Sequence, residues 1–367
     1  MDQPRDNSPP PMAAEGAPKP APRLPPLQRL VSLAAWLLLI ATLAGFAGGW
    51  SWIAGLCSPF RMQWAIGAVL TLAALTLGQW LLRWRTRWAV AAAWMVLAVN
   101  GLCIGRLWLT DPPSPANLKP GNPATTLTIL SFNPNYGNHR LDEMDTARTI
   151  AQMIEGSGAD IVAIEEITQH RLGVLTRSLP GYRMATGVGR PDAFGIAIFV
   201  RRAAEEGDDA ALVVEDASIV DVTQGVAWPP QAQLIGRWRG KPVAVLALHT
   251  VSAVYMRSDK LRVAMMDGSA TWARAQQEQG RSAIVIGDYN ATPWCAPFQA
   301  MLRDGGLVNS QLGRGHQGSW PVPLPPFMRI PIDHCLHSPD LVTVRREILS
   351  ESFDSDHLPL RVELQWR

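Results

Sequence analysis

The string Ile284-Val285-Ile286-Gly287-Asp288-Tyr289-Asn290-Ala291-Thr292-Pro293-Trp294 carries the sharpest chemical signal in the sequence. The apolar run from Ala283 to Ile286 predicts a buried strand. Gly287 interrupts it, and Asp288 and Asn290 follow two residues apart. If the strand direction persists past Gly287, both side chains point to one side of the sheet. A carboxylate and an amide are then offered together at the carboxyl end of a buried strand, where open α/β sheets place their ligands. Taken alone, the string also reads as a polar strand end entering a turn, since Gly, Asp and Asn are ordinary turn residues.

The same design recurs along the second part of the chain. Apolar runs end in Asn133, Glu166, His249, Asp288 with Asn290, Asp333, and Asp356 with His357. One acidic strand end is unremarkable, but six such ends suggest a shared rim. Carboxylates and amide oxygens, with few histidines and no thiol cluster, suit a hard cation such as Mg²⁺ or Mn²⁺. Histidines and amides beside such an ion suit a phosphate ester.

Leu127–Phe132, Ile161–Ile164, Phe194–Val200, Val243–Leu248 and Arg361–Leu364 read as strands. Asp142–Ser157 has helical spacing through Met144, Ala147, Ile150, Ala151 and Ile154. Lys260–Gln279 reads as a helix weakened by Gly268. A Pro-rich loop, Trp320–Pro331, precedes Asp333. There are no repeats, no Walker-type loop and no GxGxxG.

Residues 1–26 are Pro- and Ala-rich without apolar periodicity, which predicts a disordered tail. Three apolar stretches follow, about Leu30–Trp52, Met62–Leu82 and Trp88–Leu109. Each approaches the ~20 residues that cross a bilayer core. Trp50, Trp52, Trp64, Trp80, Trp84, Trp88 and Trp108 mark their ends, as an interfacial belt would. Arg5, Lys19, Arg23 and Arg29 precede the first stretch, and Arg83, Arg85 and Arg87 join the second to the third. The first link carries only Arg61. The positive-inside rule then makes the tail and the second link cytoplasmic. Expected is a multi-pass membrane protein with its N-terminus in the cytoplasm and a three-helix membrane domain at 27–110. A Pro-rich linker at 111–124 leads to a catalytic domain at 125–367 outside the cytoplasm.

The net charge of +2 gives no whole-chain argument for nucleic acid. Arg257, Lys260 and Arg262 follow His249, and Arg345 and Arg346 lie farther on, but no aromatic residues interleave with them. The four cysteines form no zinc pattern. Cys295 and Cys335 could pair in an oxidising compartment; spacing does not decide it.

The ordered set Ser-Phe-Asn133, Ala-Ile-Glu165-Glu166, Leu-His249-Thr, Gly-Asp288-Tyr-Asn290, Ile-Asp333-His and Ser-Asp356-His357-Leu-Pro resembles the endonuclease/exonuclease/phosphatase superfamily. The resemblance spans Thr125 to the C-terminus. It implies a four-layer α/β sandwich, with two mixed β-sheets face to face and helices outside. By the same resemblance, Glu166, Asn133 and Asp356 would hold the metal. Asp288 would orient or deprotonate water, and Asn290 would help at the phosphate. His357 would contact phosphate with its tautomer set by Asp333, and His249 would be the second histidine. Asn135 would stand behind them, while His316, His334 and His337 match no family position and read as surface or loop residues. Glu165 departs from the family, which has Gln there; adjacent strand residues point to opposite faces. The three-span layout further resembles membrane-anchored bacterial members, among them a teicoplanin-resistance-type group, which implies a bacterial inner membrane. The likeness also implies a Mg²⁺-dependent phosphoesterase acting on a lipid-linked phosphate or pyrophosphate at the bilayer. The alternative is an anchored nuclease with the same residues.

Overall fold

A computed structural model describes residues 25–109, 125–137, 143–202, 211–223, 225 and 229–367. The tail before residue 25 and the linker at 111–124 lie outside the described residues.

The N-terminal part is helical: α1 (Pro26–Ala44), a short α2 (Trp52–Gly55), α3 (Arg61–Leu82) and α4 (Arg87–Leu109). Three apolar helical stretches, Pro26–Gly49, Trp52–Leu82 and Arg87–Leu109, are long enough to cross a membrane. The first regular helix stops at Ala44, earlier than the apolar run implies, and a 3₁₀ turn through Gly45–Gly49 follows. Small residues Ala35, Ala68, Ala92 and Ala93 let the three helices pack closely. A polar cluster sits among them. Arg61 is fully buried and donates to the Thr42 carbonyl at 2.8 Å, and Asn100 donates to the Thr42 hydroxyl at 2.9 Å. Trp84 departs from the expected belt: it is buried against Gly78, where even a methyl group would collide with its ring.

The remainder is built of β1 (Leu127–Phe132), α5 (Glu143–Ser157), β2 (Ile161–Glu165), α6 (Gln169–Ser178), β3 (Tyr182–Val188), β4 (Ile196–Arg201), β5 (Leu212–Val220), β6 (Gln231–Trp238) and β7 (Lys241–His249). There follow α7 (Met256–Glu278), β8 (Ser282–Asp288), α8 (Ala296–Gly305), β9 (Val308–Asn309), β10 (Asp333–His337), β11 (Leu341–Ile348) and β12 (Leu360–Trp366). They form two six-stranded sheets, ordered β11-β12-β1-β2-β4-β3 and β5-β6-β7-β8-β10-β9. Each sheet is mixed, with one parallel pair: β1 with β2, and β7 with β8.

Alternation along the strands makes the four layers. Leu127, Ile129, Ile161 and Ala163 face Val243, Val245, Ile284 and Ile286 between the sheets. Their neighbours Leu130, Phe132, Val162 and Ile164 face α5 and α6 through Ile150, Ile154, Leu172 and Leu175. On the other side Leu246, Leu248, Ala283 and Val285 face Met265, Met266, Ala270 and Phe298 of α7 and α8. Strands buried on both faces read as unbroken apolar runs, which is why β2 and β8 are so plain in sequence.

Gly268 does not break α7. A Cβ there would lie 1.9 Å from the Val222 carbonyl oxygen, so the residue admits a close backbone approach. Cys335 belongs to the core between the sheets and Cys295 to the core under the helices. They stand on opposite faces of one sheet and are both free, so the disulfide left open by the sequence is absent.

Candidate active site

The parallel pairs bring four chain exits to one edge of the sandwich. Asn133 follows β1, Glu166 follows β2, and His249 and Asp288 end β7 and β8. Two antiparallel strands complete the set from the opposite direction. Asp333 begins β10 directly across from Asp288 in register. His357 lies just before β12, which runs antiparallel to β1. Residue parity then aims the side chains. Asn133, His249, Asp288 and Asp333 each continue the alternate positions that face the core between the sheets. The site is the mouth of that gap.

Three residues at the rim hold left-handed backbone: Asn135, Glu166 and Asn290, with φ of 55°, 46° and 44°. Such angles are uncommon outside glycine and cluster at functional sites. The turn at Asn290 corrects one premise, because the extended direction ends at Asp288. The Asn290 backbone N–H instead donates to Asp288 Oδ1 at 2.8 Å, and its amide donates to the Thr250 carbonyl at 2.8 Å. The two residues still adjoin, through a turn. Gly287 is required there: its φ is 143°, and a Cβ would lie 2.0 Å from the Leu248 carbonyl oxygen.

Asn133 Nδ2 donates to Glu166 Oε1 at 2.9 Å and to Asp288 Oδ2 at 3.2 Å. His249 Nε2 stands 3.5 Å from Glu166 Oε1 and 3.7 Å from Asp288 Oδ2. Glu166 Oε2 accepts from the Tyr136 backbone at 3.2 Å. On the other flank, His357 Nδ1 donates to Asp333 Oδ2 at 3.1 Å, and its Nε2 lies 3.7 Å from Asp288 Oδ2. Asp288 is thus shared between two histidines.

The charges follow from burial and neighbours. Burial alone would strip His357 of its proton, but Asp333 and Asp288 outweigh it and raise the imidazole to about 10. Burial also acts on Asp333, and His357 beside it holds the carboxyl below its ordinary range. The pair is therefore ionic. Asp288 is pushed by burial up to about 6, with His357 pulling it down and Asp333 pushing it further up.

Of the remaining predicted residues, Asp356 is placed differently from the rest. Its Oδ1 accepts from Asn135 Nδ2 at 2.7 Å and its Oδ2 from Trp320 Nε1 at 2.8 Å. The close clusters of possible metal ligands are Glu166, His249 and Asp288, and Asp288, Asp333 and His357. Asp356 is in neither of these clusters among the described residues; it holds Asn135 and Trp320. Glu165 and Glu166 diverge, as strand alternation requires. Glu165 points into the gap beneath the site, fully buried, and accepts from Ser131 at 3.0 Å. Burial, with the charge of Asp333 adding to it, raises its carboxyl well above the ordinary range.

Two expectations about histidines fail. His334 and His337 are buried strand residues, not surface ones. His334 Nε2 bonds the Ala291 carbonyl oxygen at 2.9 Å among Tyr289 and Phe298. His337 is fixed between the Ser338 carbonyl and the Thr343 hydroxyl. His316 stacks on Trp294. Sequence reasoning also missed Trp320, Ser355 and Arg346. Ser355 Oγ donates to the Asn133 carbonyl at 2.6 Å and accepts from the His357 backbone at 3.0 Å, tying two rim turns together. Arg346 donates to the Asp333 carbonyl at 2.9 Å. Ser355 stood inside a motif and could have been found; Trp320 and Arg346 reach the site only through the fold.

The two carboxylates of Glu166 and Asp288 with the imidazole of His249 fit a hard divalent cation by the chemistry of their donors. Asn133 turns its NH2 to those carboxylates and its Oδ1 to the Asn135 N–H, so in this geometry it orients the ligands rather than joining them.

Known proteins share this architecture. An endonuclease/exonuclease/phosphatase family protein from Bacteroides thetaiotaomicron superposes with a TM-score of 0.51 at 22% identity, over 66% of this chain and 98% of its own. The mannosyl-6-phosphatase of the same organism gives 0.52 at 20%, over 65% and 100%. The human Nocturnin catalytic domain with bound sulfate anion gives 0.51 at 16%, over 66% and 95%. No curated protein matches the chain. The model of the Endonuclease/Exonuclease/phosphatase family matches residues 130–357, from β1 through the histidine that pairs with Asp333. A match over that length, through all the strand ends of the rim, shows that the chain belongs to the endonuclease/exonuclease/phosphatase family, whose members are hydrolases of phosphoester bonds.

Proposed function

We propose that this chain is a membrane-anchored, Mg²⁺- or Mn²⁺-dependent phosphoesterase that hydrolyses a lipid-linked phosphate ester or pyrophosphate outside the cytoplasm. The observation that carries the reading is Asp288. One carboxylate faces the Glu166–Asn133–His249 group on one side and the ionic His357–Asp333 pair on the other.

Glu166, with Asn133 beside it, would hold the ion, and Asp356 would steady that side through Asn135. When bound, the ion neutralises phosphate charge and polarises the phosphoryl oxygen. Asp288, raised toward neutrality, is suited to orient a water and accept its proton. His357, kept cationic by Asp333, donates Nε2–H to a phosphoryl oxygen as negative charge develops there. His249 faces the same space and would bind phosphate or assist the leaving group. Asn290 fixes Asp288 through its backbone N–H.

The lipid-linked substrate is inferred from the three apolar helices. The mannosyl-6-phosphatase neighbour supports phosphatase chemistry on this fold. The extracytoplasmic placement rests on the Arg/Lys asymmetry of the spans. The test uses purified full-length protein in detergent. It is assayed with and without chelator against a polyprenyl pyrophosphate, a phospholipid, a water-soluble aryl phosphodiester and single-stranded DNA. Metal-dependent turnover of the lipid phosphates above DNA is expected. Preferential cleavage of DNA would make the chain an anchored nuclease.

A further inference from the structure

The edge of the sandwich that bears the site is also the edge that meets the membrane helices. Three connections show it. The loop after β8 reaches the first link: Ser58 Oγ donates to the Trp294 carbonyl at 3.3 Å, and Gly49 packs against Ala296. The Pro-rich loop reaches the start of α3: Gln63 Nε2 donates to the Met328 carbonyl at 2.7 Å. The turn after β9 reaches the end of α4: Gly315 N–H donates to the Leu107 carbonyl at 2.8 Å.

The same edge exposes apolar side chains that none of the described residues covers. The loop leaving His249 ends in Val254, Tyr255 and Met256, with Tyr255 73% exposed. Met256 lines a cleft of about 720 Å³ together with Trp50 and Trp52 of the first link. Trp50 itself is 93% exposed. The Pro-rich loop offers a second patch: Pro323, Leu324, Pro325, Pro326 and Phe327 are all exposed, with Phe327 at 57%. Its three prolines have no backbone N–H to leave unsatisfied in an apolar medium. Arg329 donates to the Leu324 and Val322 carbonyls and braces the loop. At its other end, Trp320 bonds Asp356 beside His357. Exposed Arg257 and Lys260 follow Tyr255 on the first turns of α7.

We infer that Val254–Met256 and Leu324–Phe327 insert into the leaflet on the catalytic domain's side, so that the site opens along the lipid surface rather than into bulk water. Apolar tips flanked by cations are the composition of an interfacial contact with anionic lipid. The three tethers to the span ends place both loops at bilayer height. A substrate whose lipid tail stays in the leaflet then presents its phosphate to His357 and Asp288 without leaving the membrane. The inference rests on the membrane-anchored reading above and specifies how that site meets its substrate.

The experiment is photo-crosslinking of the full chain reconstituted in vesicles of phosphatidylethanolamine and phosphatidylglycerol. Tyr255 or Phe327 is replaced by p-benzoylphenylalanine. Leu70, exposed at the middle of α3, serves as the control inside the span, and Lys241, at the far end of the sandwich, as the control in water. Lipid adducts at 70, 255 and 327 but not at 241, scored by mass spectrometry, are expected. Adducts at 70 alone overturn the inference and leave the anchor intact. Their absence at 70 as well overturns both. Hydrolysis is not part of the readout, so an inactive preparation still decides the question.

Discussion

His357 needs a fixed ring and a retained proton, and Asp333 supplies both through one hydrogen bond. The two should therefore fail together. Asp333→Asn is expected to lower kcat by on the order of 10² or more, as when other carboxylate-oriented histidines lose their tautomer. Adding His357→Ala should cost little further, because residues acting as a unit are non-additive. A double-mutant cycle with a water-soluble phosphodiester checks this, with melting curves to confirm the fold; fully multiplicative losses would make Asp333 merely structural. Glu166 and Glu165 can be told apart in the same assay. Glu166→Gln should raise the Mg²⁺ concentration for half-maximal activity by about tenfold or more, whereas Glu165→Gln, beneath the rim, should leave that curve near its place. The reverse result would move the metal to the other carboxylate.

At the level of elements, β1, β2, β7 and β8 were legible because central strands buried on both faces give unbroken β-branched runs. The edge strands were not. β3 and β5 are half exposed, so their polar and apolar residues mix without a clear run. α6 and α8 are ten residues each, too short for periodicity to separate them from loops. The site was legible as motifs because strand ends fall at one edge. Its left-handed turns at Glu166 and Asn290 were not, since nothing local marks a non-glycine residue for positive φ. β10 shows in the sequence only as the motif around Asp333, and its histidines, which read as surface or loop residues, lie in the core. Burial holds His337 at about 4 and His334, helped by the nearby Arg346 charge, at about 3. Both folded values lie below the ordinary 6.5. Between them and 6.5 the unfolded chain binds protons that the folded chain does not. Stability is therefore full above about pH 6.5 and falls as pH drops toward 4. For His337 the loss by pH 5 is on the order of 2 kcal/mol. His337→Gln should shrink the drop in melting temperature between pH 7.5 and pH 5; an unchanged drop would show that this histidine titrates normally.

For the whole molecule, orientation is the first thing to settle. The link Gly45–Phe60 and the end of α4 touch the catalytic domain, and Arg83, Arg85 and Arg87 lie at the other end of the helices. If all three helices cross a bilayer, the domain lies on the side opposite the N-terminus. Alkaline phosphatase fused at the C-terminus should be active, and green fluorescent protein there should be dark when exported through the general secretion route. The opposite pair of results would put the domain in the cytoplasm. Some of the basic residues that could serve nucleic acid are engaged inside the fold: Arg262 is buried on Asp259 and the Asn290 carbonyl, and Arg346 on the Asp333 carbonyl.

The mouth of the gap is furnished by both sheets. Asn133, Glu166 and His357 ride on one; His249, Asp288 and Asp333 ride on the other. Competence is thus a property of the seam between two leaves held together chiefly by apolar side chains. A relative shift near 1 Å is enough to cost about 10² in rate elsewhere in enzymology. In rising urea, turnover should accordingly fade while circular dichroism is still native, making catalysis an early gauge of the sandwich coming apart.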